Sequence, residues 1–125
     1  MRDFDEAAVA TEIRAEFERY ETALAENRVA DLAGFFWEDP RVMRMTTEGG
    51  LYGHAAIVAF RRGRDVADLA RELMRVEVVA WSRDFGVATA EYRRLGSGRR
   101  GSQTQVWMRR TEGWRIVAAH VSLGG

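Results

Sequence analysis

Apolar side chains recur along this chain with two different periods. From residue 5 to residue 27, Ile13, Phe17, Tyr20 and Leu24 follow one another at spacings of four, three and four. That spacing is the buried stripe of a helix covering another layer. Glu16, Glu18, Arg19 and Glu26 fall mostly away from it. Asn27 reads as the stop, and Asp31 as the cap of a short second helix ending at Phe35. A bulky knot, Phe35-Phe36-Trp37, precedes a break at Glu38-Asp39-Pro40. Arg41 to Thr46 then reads as a short strand with Val42, Arg44 and Thr46 on one face. Thr47 to Gly50 is a turn, and Leu51-Tyr52-Gly53 a brief extended piece. A third helix starts at His54 or the residue before it and runs to about Arg64, with Ile57 and Phe60 toward the core. Its arginines Arg61, Arg62 and Arg64 form a solvated or functional end, and Asp65 to Ala70 reads as a further helical turn or a loop.

After residue 71 the period falls to two. Glu72–Trp81 and Phe85–Leu95 read as strands joined at Ser82-Arg83-Asp84, and Gln103–Arg109 and Trp114–Ser122 as a hairpin closed at Thr111-Glu112-Gly113. Trp107 and Trp114 sit on opposite arms, placed for cross-strand aromatic contact. Gly96 to Gly101 is a flexible link. Helix, helix, strand and helix, followed by a four-stranded antiparallel meander, define a single α+β domain over residues 1–125, with helices on one face of a bent sheet.

Composition narrows the chemistry. The chain carries 19 basic and 19 acidic residues, no cysteine, and hydrophobic residues at 46%. Zero net charge argues against a general nucleic-acid surface. Without cysteine there is no disulfide framework, thiolate nucleophile or Cys-type metal site. The acidic start MRDFDEAAVA lacks the apolar core of a signal peptide, and no stretch approaches membrane-span length, so a cytoplasmic protein is expected. All basic residues are arginine, a planar and permanently charged fork suited to carboxylates, although GC-rich coding alone produces the same bias. The histidines His54 and His120 have no metal-site spacing, and no Ser-His-Asp order, phosphate loop or dinucleotide fingerprint is present.

The segments YETAL, FFWED, LYG, FRRGRD, ARELMR, SRDFGVATAEY and SQTQVW, with the closing hairpin, together resemble the nuclear-transport-factor-2-like superfamily over nearly the whole chain. They are similar to its SnoaL-like members, and most of all to the AtzH-like group, which includes oxalurate-catabolism (HpxZ-like) proteins. The resemblance implies a cone, in which a curved antiparallel sheet wraps around the long N-terminal helix and two shorter helices help enclose a pocket. Members use that pocket as an enzyme site, a small-acid receptor or not at all, so fold alone does not decide function. The narrower likeness implies a cofactor-free amidohydrolase acting on a small anionic carboxylated urea, with 1,3-dicarboxyurea giving allophanate and ammonia, in nitrogen catabolism from cyanuric acid or purine and oxalurate products.

The candidate site residues follow in that light. Tyr20 lies on the helix stripe; spacing alone fits a core tyrosine or one reaching the pocket, and the resemblance places the matching tyrosine in the active site. Arg44 faces away from Met43 and Met45. Pattern alone fits a solvated strand face, whereas the resemblance points this arginine into the cavity as a carboxylate clamp. Glu91, sharing a face with Val87, Thr89 and Arg93, is a candidate base or a structural ion-pair partner. His120 is the other candidate for activating water. Gln103 and Gln105 are placed to recognise a urea-like group, which offers donors and acceptors together. Trp37 and Arg71 complete the expected substrate-binding set. No metal or cofactor is expected. The alternative is a non-catalytic binding or assembly module, because superfamily homodimers form through the convex sheet face and the same surface suits an amidase partner. Exposure of Val79, Trp81 or Trp107 there favours it. An isomerase or dehydratase acting on an apolar ring fits an arginine-rich pocket poorly.

Overall fold

The computed structural model describes residues 3–64 and 66–124. Helix α1, Glu6–Ala25, begins at Asp5, whose carboxylate accepts the Ala8 N–H at 3.0 Å. It ends where Asn27 adopts φ 50°, a left-handed conformation that asparagine tolerates. The stripe Val9, Ile13, Phe17, Tyr20 and Leu24 is buried. Helix α2 spans Val29–Phe35, and its N-cap is Arg28 rather than Asp31. Asp31 lies inside the first turn and pairs with the Arg28 guanidinium at 2.7 Å, an acid at the positive end of the helix dipole.

Strands β1, Met43–Thr46, and β2, Gly49–Tyr52, form a hairpin, so the extended piece expected near Leu51 is a paired strand. The first strand starts two residues later than its pattern suggests, because Arg41 folds back on the Asp39 carboxylate at 2.9 Å. Helix α3 is His54–Gly63. Residue 65 lies outside the described residues, and residues 66–70 add no helical turn. The meander follows as β3, Arg71–Ser82; β4, Phe85–Arg94; β5, Arg100–Arg110; and β6, Gly113–Leu123. The expected flexible link shrinks to the turn before Arg100, where the Asp68 carboxylate accepts the Ser97 N–H at 2.9 Å.

All six strands form one sheet in the order β2-β1-β6-β5-β4-β3, antiparallel except for the parallel pair of β1 and β6. The helices fill its concave face. Inward positions on β4 are small or aromatic: Gly86, Ala88, Ala90 and Tyr92 are all buried. Gly86 is required, since a Cβ there would lie 2.4 Å from Ile13 Cδ1 and 2.8 Å from the Val79 carbonyl oxygen. The helix therefore crosses β4 with no room for a larger side chain.

One irregularity sets the faces of β6. The register of β5 and β6 shifts between Val106 and Trp107, so Trp107 opposes Ile116 and Trp114 opposes Arg109. The two tryptophans are not cross-strand partners. Trp114 instead packs under the Arg109 guanidinium at 4.5 Å. The shift also reverses the inward set on β6: Trp114 and Ile116 point in, then Ala119, leaving His120 exposed on the convex side.

Candidate functional site

A small cavity lies between the C-terminal half of α1, the end of α3 and the inner sheet face. Its polar walls are Tyr20, Arg44, Arg61, Arg64, Arg71, Tyr92, Arg94 and Gln103, and about 30 Å³ of it is open to the centre of a water-sized molecule. That space, counted for molecule centres rather than whole atoms, suits a small ligand rather than a large ring. Each wall is positioned by a local rule. Tyr20 closes the buried stripe of α1, and Arg44 alternates inward from the exposed Met43. Arg61 follows the fully buried Ile57 by four residues, so both occupy one face of α3.

Arg61 is 1% exposed and Arg44 6%. Arg61 is therefore no part of a solvated helix end; Arg62 alone of the arginines inside that helix is exposed. Arg61 Nη2 donates to the Tyr20 hydroxyl oxygen. Its Nε and Nη1, Arg44 Nε and Nη1, and Arg64 Nε and Nη2 are buried with no partner among the described residues. Arg44 stacks on the Phe60 ring at 4.8 Å, and Arg64 reaches the same ring at 5.8 Å. Burial, with the neighbouring Arg61 charge, pushes both Arg44 and Arg64 down to about 10. For Tyr20, burial disfavours the phenolate, but the charges of Arg61, Arg44 and Arg71 outweigh it and hold the phenol below its ordinary range.

Arg71 differs from these arginines. It donates to the Glu21 carboxylate, with Nε to Oε1 at 3.0 Å, and through Nη2 to Gln103 Oε1 at 2.8 Å. Burial opposes its charge, yet the Glu21 contact keeps its proton affinity raised. Gln103 returns an N–H to Glu21 Oε2 at 3.2 Å. Both ends of that amide thus hold Arg71 and Glu21 in place. The resulting wall is rigid, and the unmatched cationic donors belong to Arg44, Arg61 and Arg64.

The remaining expected residues lie elsewhere. Gln105 points inward but accepts from Trp107 Nε1 at 3.1 Å and does not line the cavity. Trp37 sits outside it, between the guanidinium groups of Arg41 and Arg110 at 5.2 and 4.0 Å. Glu91 is exposed opposite Arg75, because inward positions on β4 belong to the alternate set ending in Tyr92 and Arg94. His120 is likewise outside, turned out by the register shift. Trp107 is fully buried and unavailable as a convex-face contact. His54 Nε2 meets the Ala33 carbonyl oxygen at 3.0 Å, a structural tie between α3 and α2. A wider groove of about 620 Å³ runs along α1 and α2; within its walls Arg19 pairs with Glu16 and Arg28 with Asp31, and Arg115 donates to the Trp114 and Glu112 carbonyl oxygens.

A long helix held in a curved, unclosed six-stranded sheet, with a polar cavity at one end, is the cone of the nuclear-transport-factor-2-like (cystatin-like) fold. Solved structures agree. The chain is 44% identical to a protein of unknown function from the DUF3225 family of Pectobacterium atrosepticum, covering 95% of this chain and 93% of that one at a TM-score of 0.90. It is 33% identical to a cystatin-like fold protein from Burkholderia xenovorans, covering 93% and 92% at 0.87. A nuclear-transport-factor-2-like superfamily protein from Salmonella enterica shares the fold at 21% identity, covering 95% and 93% at a TM-score of 0.77. The chain belongs to the AtzH-like family, whose model matches residues 2–125. A search of curated proteins finds none that matches. No helix among the described residues is long and apolar enough to cross a membrane.

Proposed function

We propose that this protein is a hydrolase of a small anionic amide, with a carboxylated urea such as 1,3-dicarboxyurea as substrate and allophanate and bicarbonate as products; both nitrogens of that substrate stay in allophanate, so one carboxyl carbon leaves and the expected ammonia does not. The observation that carries this reading is the set of buried guanidinium donors on Arg44, Arg61 and Arg64 that meet no acceptor among the described residues. Buried charges unmatched by protein groups are expensive unless a ligand matches them. A carboxylate is the natural match, since its two oxygens fit the guanidinium fork. In this reading Arg44 clamps a substrate carboxylate, and the cationic wall stabilises negative charge developing on the scissile carbonyl oxygen. Tyr20 contacts the substrate or its tetrahedral intermediate. Membership of the AtzH-like family supports the substrate class. We place this activity in cytoplasmic nitrogen catabolism.

A second reading rests on the convex face. Tyr52, Met43, Ala118, Val106, Val87 and Val79 stand side by side across all six strands, with Trp81 exposed nearby. Such an apolar band suits a homodimer or an amidase partner. Allophanate formation from 1,3-dicarboxyurea by the isolated protein separates the readings: turnover lost on Arg44→Met supports the hydrolase, whereas a folded protein with no turnover supports the assembly module.

A further inference from the structure

With Glu91 and His120 on the convex face, the cavity needs another group to activate water. Glu21 is the acid closest to hand, but it is engaged by Arg71 and Gln103. Tyr20 remains. Its hydroxyl accepts from Arg61, and among the described residues nothing accepts the phenolic proton in return. The groups facing it are predominantly donors or cations: Arg61 and Arg64 from α3, Arg44 from β1, Arg71 from β3 and Arg94 from β4. The neutral walls are Tyr92 from β4 and Gln103 from β5, and the single acid of α1 on that side, Glu21, is matched to Arg71. A phenol whose proton lacks an acceptor, and whose oxygen is ringed by donors, is favoured as the anion.

We infer that Arg61 is a positioning residue that holds the phenolic oxygen of Tyr20 in its deprotonated form, so that Tyr20 is the base of the hydrolysis proposed above. The inference rests on that hydrolase reading and adds what the cavity otherwise lacks. The phenolate takes one proton from water as the water oxygen bonds to the carbon of one N-carboxyl group, giving a tetrahedral adduct and neutral Tyr20. Collapse of the adduct breaks the bond from that carbon to nitrogen and releases bicarbonate, and the Tyr20 hydroxyl returns the proton to the departing nitrogen of allophanate. Atoms and charge balance, and the phenolate is regenerated. In this step Arg61 acts through Tyr20 by its Nη2, and its burial beside Ile57 fixes where the phenolic oxygen sits.

The test is a near-ultraviolet titration of tyrosinate absorbance in the full chain. It compares the parent with Tyr20→Phe, Arg61→Gln and Arg61→Lys, with circular dichroism reporting folding. The parent-minus-Tyr20→Phe difference is expected to show one tyrosine ionising below the ordinary value of about 10. Arg61→Gln moves that step upward and Arg61→Lys restores part of it. Allophanate formation from 1,3-dicarboxyurea rises with pH through the same step in the parent and falls on the order of 100-fold or more in Tyr20→Phe. A difference step at or above the ordinary value overturns the inference, as does one that Arg61→Gln leaves in place. If Arg61→Gln does not fold, the parent difference and Arg61→Lys still decide. A low step with a flat rate across it removes Tyr20 as the base while the hydrolase reading stands. A low step with no allophanate formed above the spontaneous rate at any pH overturns the hydrolase reading, and the base role with it.

Discussion

Replacing Arg44 with methionine should stabilise the fold while abolishing function. Arg44 is 6% exposed, and its proton affinity is pushed down to about 10 by burial and the charge of Arg61. Moving a guanidinium that far from its ordinary range corresponds to about 3 kcal/mol against the charged form, at about 1.4 kcal/mol per tenfold. The sign follows from proton binding. A base whose folded affinity is lowered binds its proton more weakly in the native state than in the unfolded one. It therefore destabilises the fold at all pH values below about 10, and the penalty fades as pH rises toward the unfolded value. Methionine removes the charge and keeps most of the volume, but it loses the stack on Phe60, a contact worth about 1 kcal/mol. The net gain is about 2 kcal/mol, or a rise of about 5–10 °C in Tm for a domain of this size. Thermal unfolding at neutral pH, followed by circular dichroism, measures it. The parent should gain Tm on adding a small dicarboxylate such as malonate, because a ligand bound only to the native state adds stability by mass action, and Arg44→Met should gain little. A clear drop in Tm for Arg44→Met would mean that the guanidinium is already well matched in the empty protein, and the reasoning from uncompensated charge would fail.

Other outcomes follow from the geometry. Gly86→Ala should destabilise by about 1–3 kcal/mol, measured by urea unfolding, since its Cβ would meet Ile13 and the Val79 carbonyl of the fixed sheet backbone. Glu91→Gln and His120→Ala should leave allophanate formation within about twofold of the parent, because both side chains lie outside the cone; a large loss in either would place the site on the convex face. The pH–rate profile should rise as Tyr20, held below its ordinary range, loses its proton, and fall as Arg44 and Arg64 lose theirs near 10. A rate still climbing well above that pH would remove the arginines from substrate binding.

The layer order and each strand of the meander are legible in the sequence, because strict alternation and a four-three-four stripe leave few choices; the inward position of Arg44 comes from the family resemblance, since its pattern alone fits a solvated strand face. Two failures have physical causes. Counting by twos from Trp114 puts His120 inside, and only the extra residue at the β5–β6 register shift turns it out. Counting on β4 favours the polar set containing Glu91 as the pocket wall. The small residues Gly86, Ala88 and Ala90 were the stronger signal, since a close-packed helix demands small neighbours. Arg61 was readable too: it follows Ile57 at four residues, on the buried side of α3. A charged residue is more often solvated at a helix end, so the sequence leaves Arg61 open between a solvated and a functional role. The match of Gln103 to Arg71 and Glu21 joins side chains on three distant elements, and no local period announces it.

The most direct measurement is allophanate formation by the purified protein from freshly generated 1,3-dicarboxyurea, above the spontaneous rate, with Arg44→Met and Tyr20→Phe measured alongside. Turnover in the parent that falls at least 100-fold in each folded variant is the predicted result, and it would place hydrolysis in the arginine-lined cavity. Turnover unchanged by both substitutions would move the chemistry elsewhere, and a folded parent that forms no allophanate above the spontaneous rate would contradict the hydrolase reading outright.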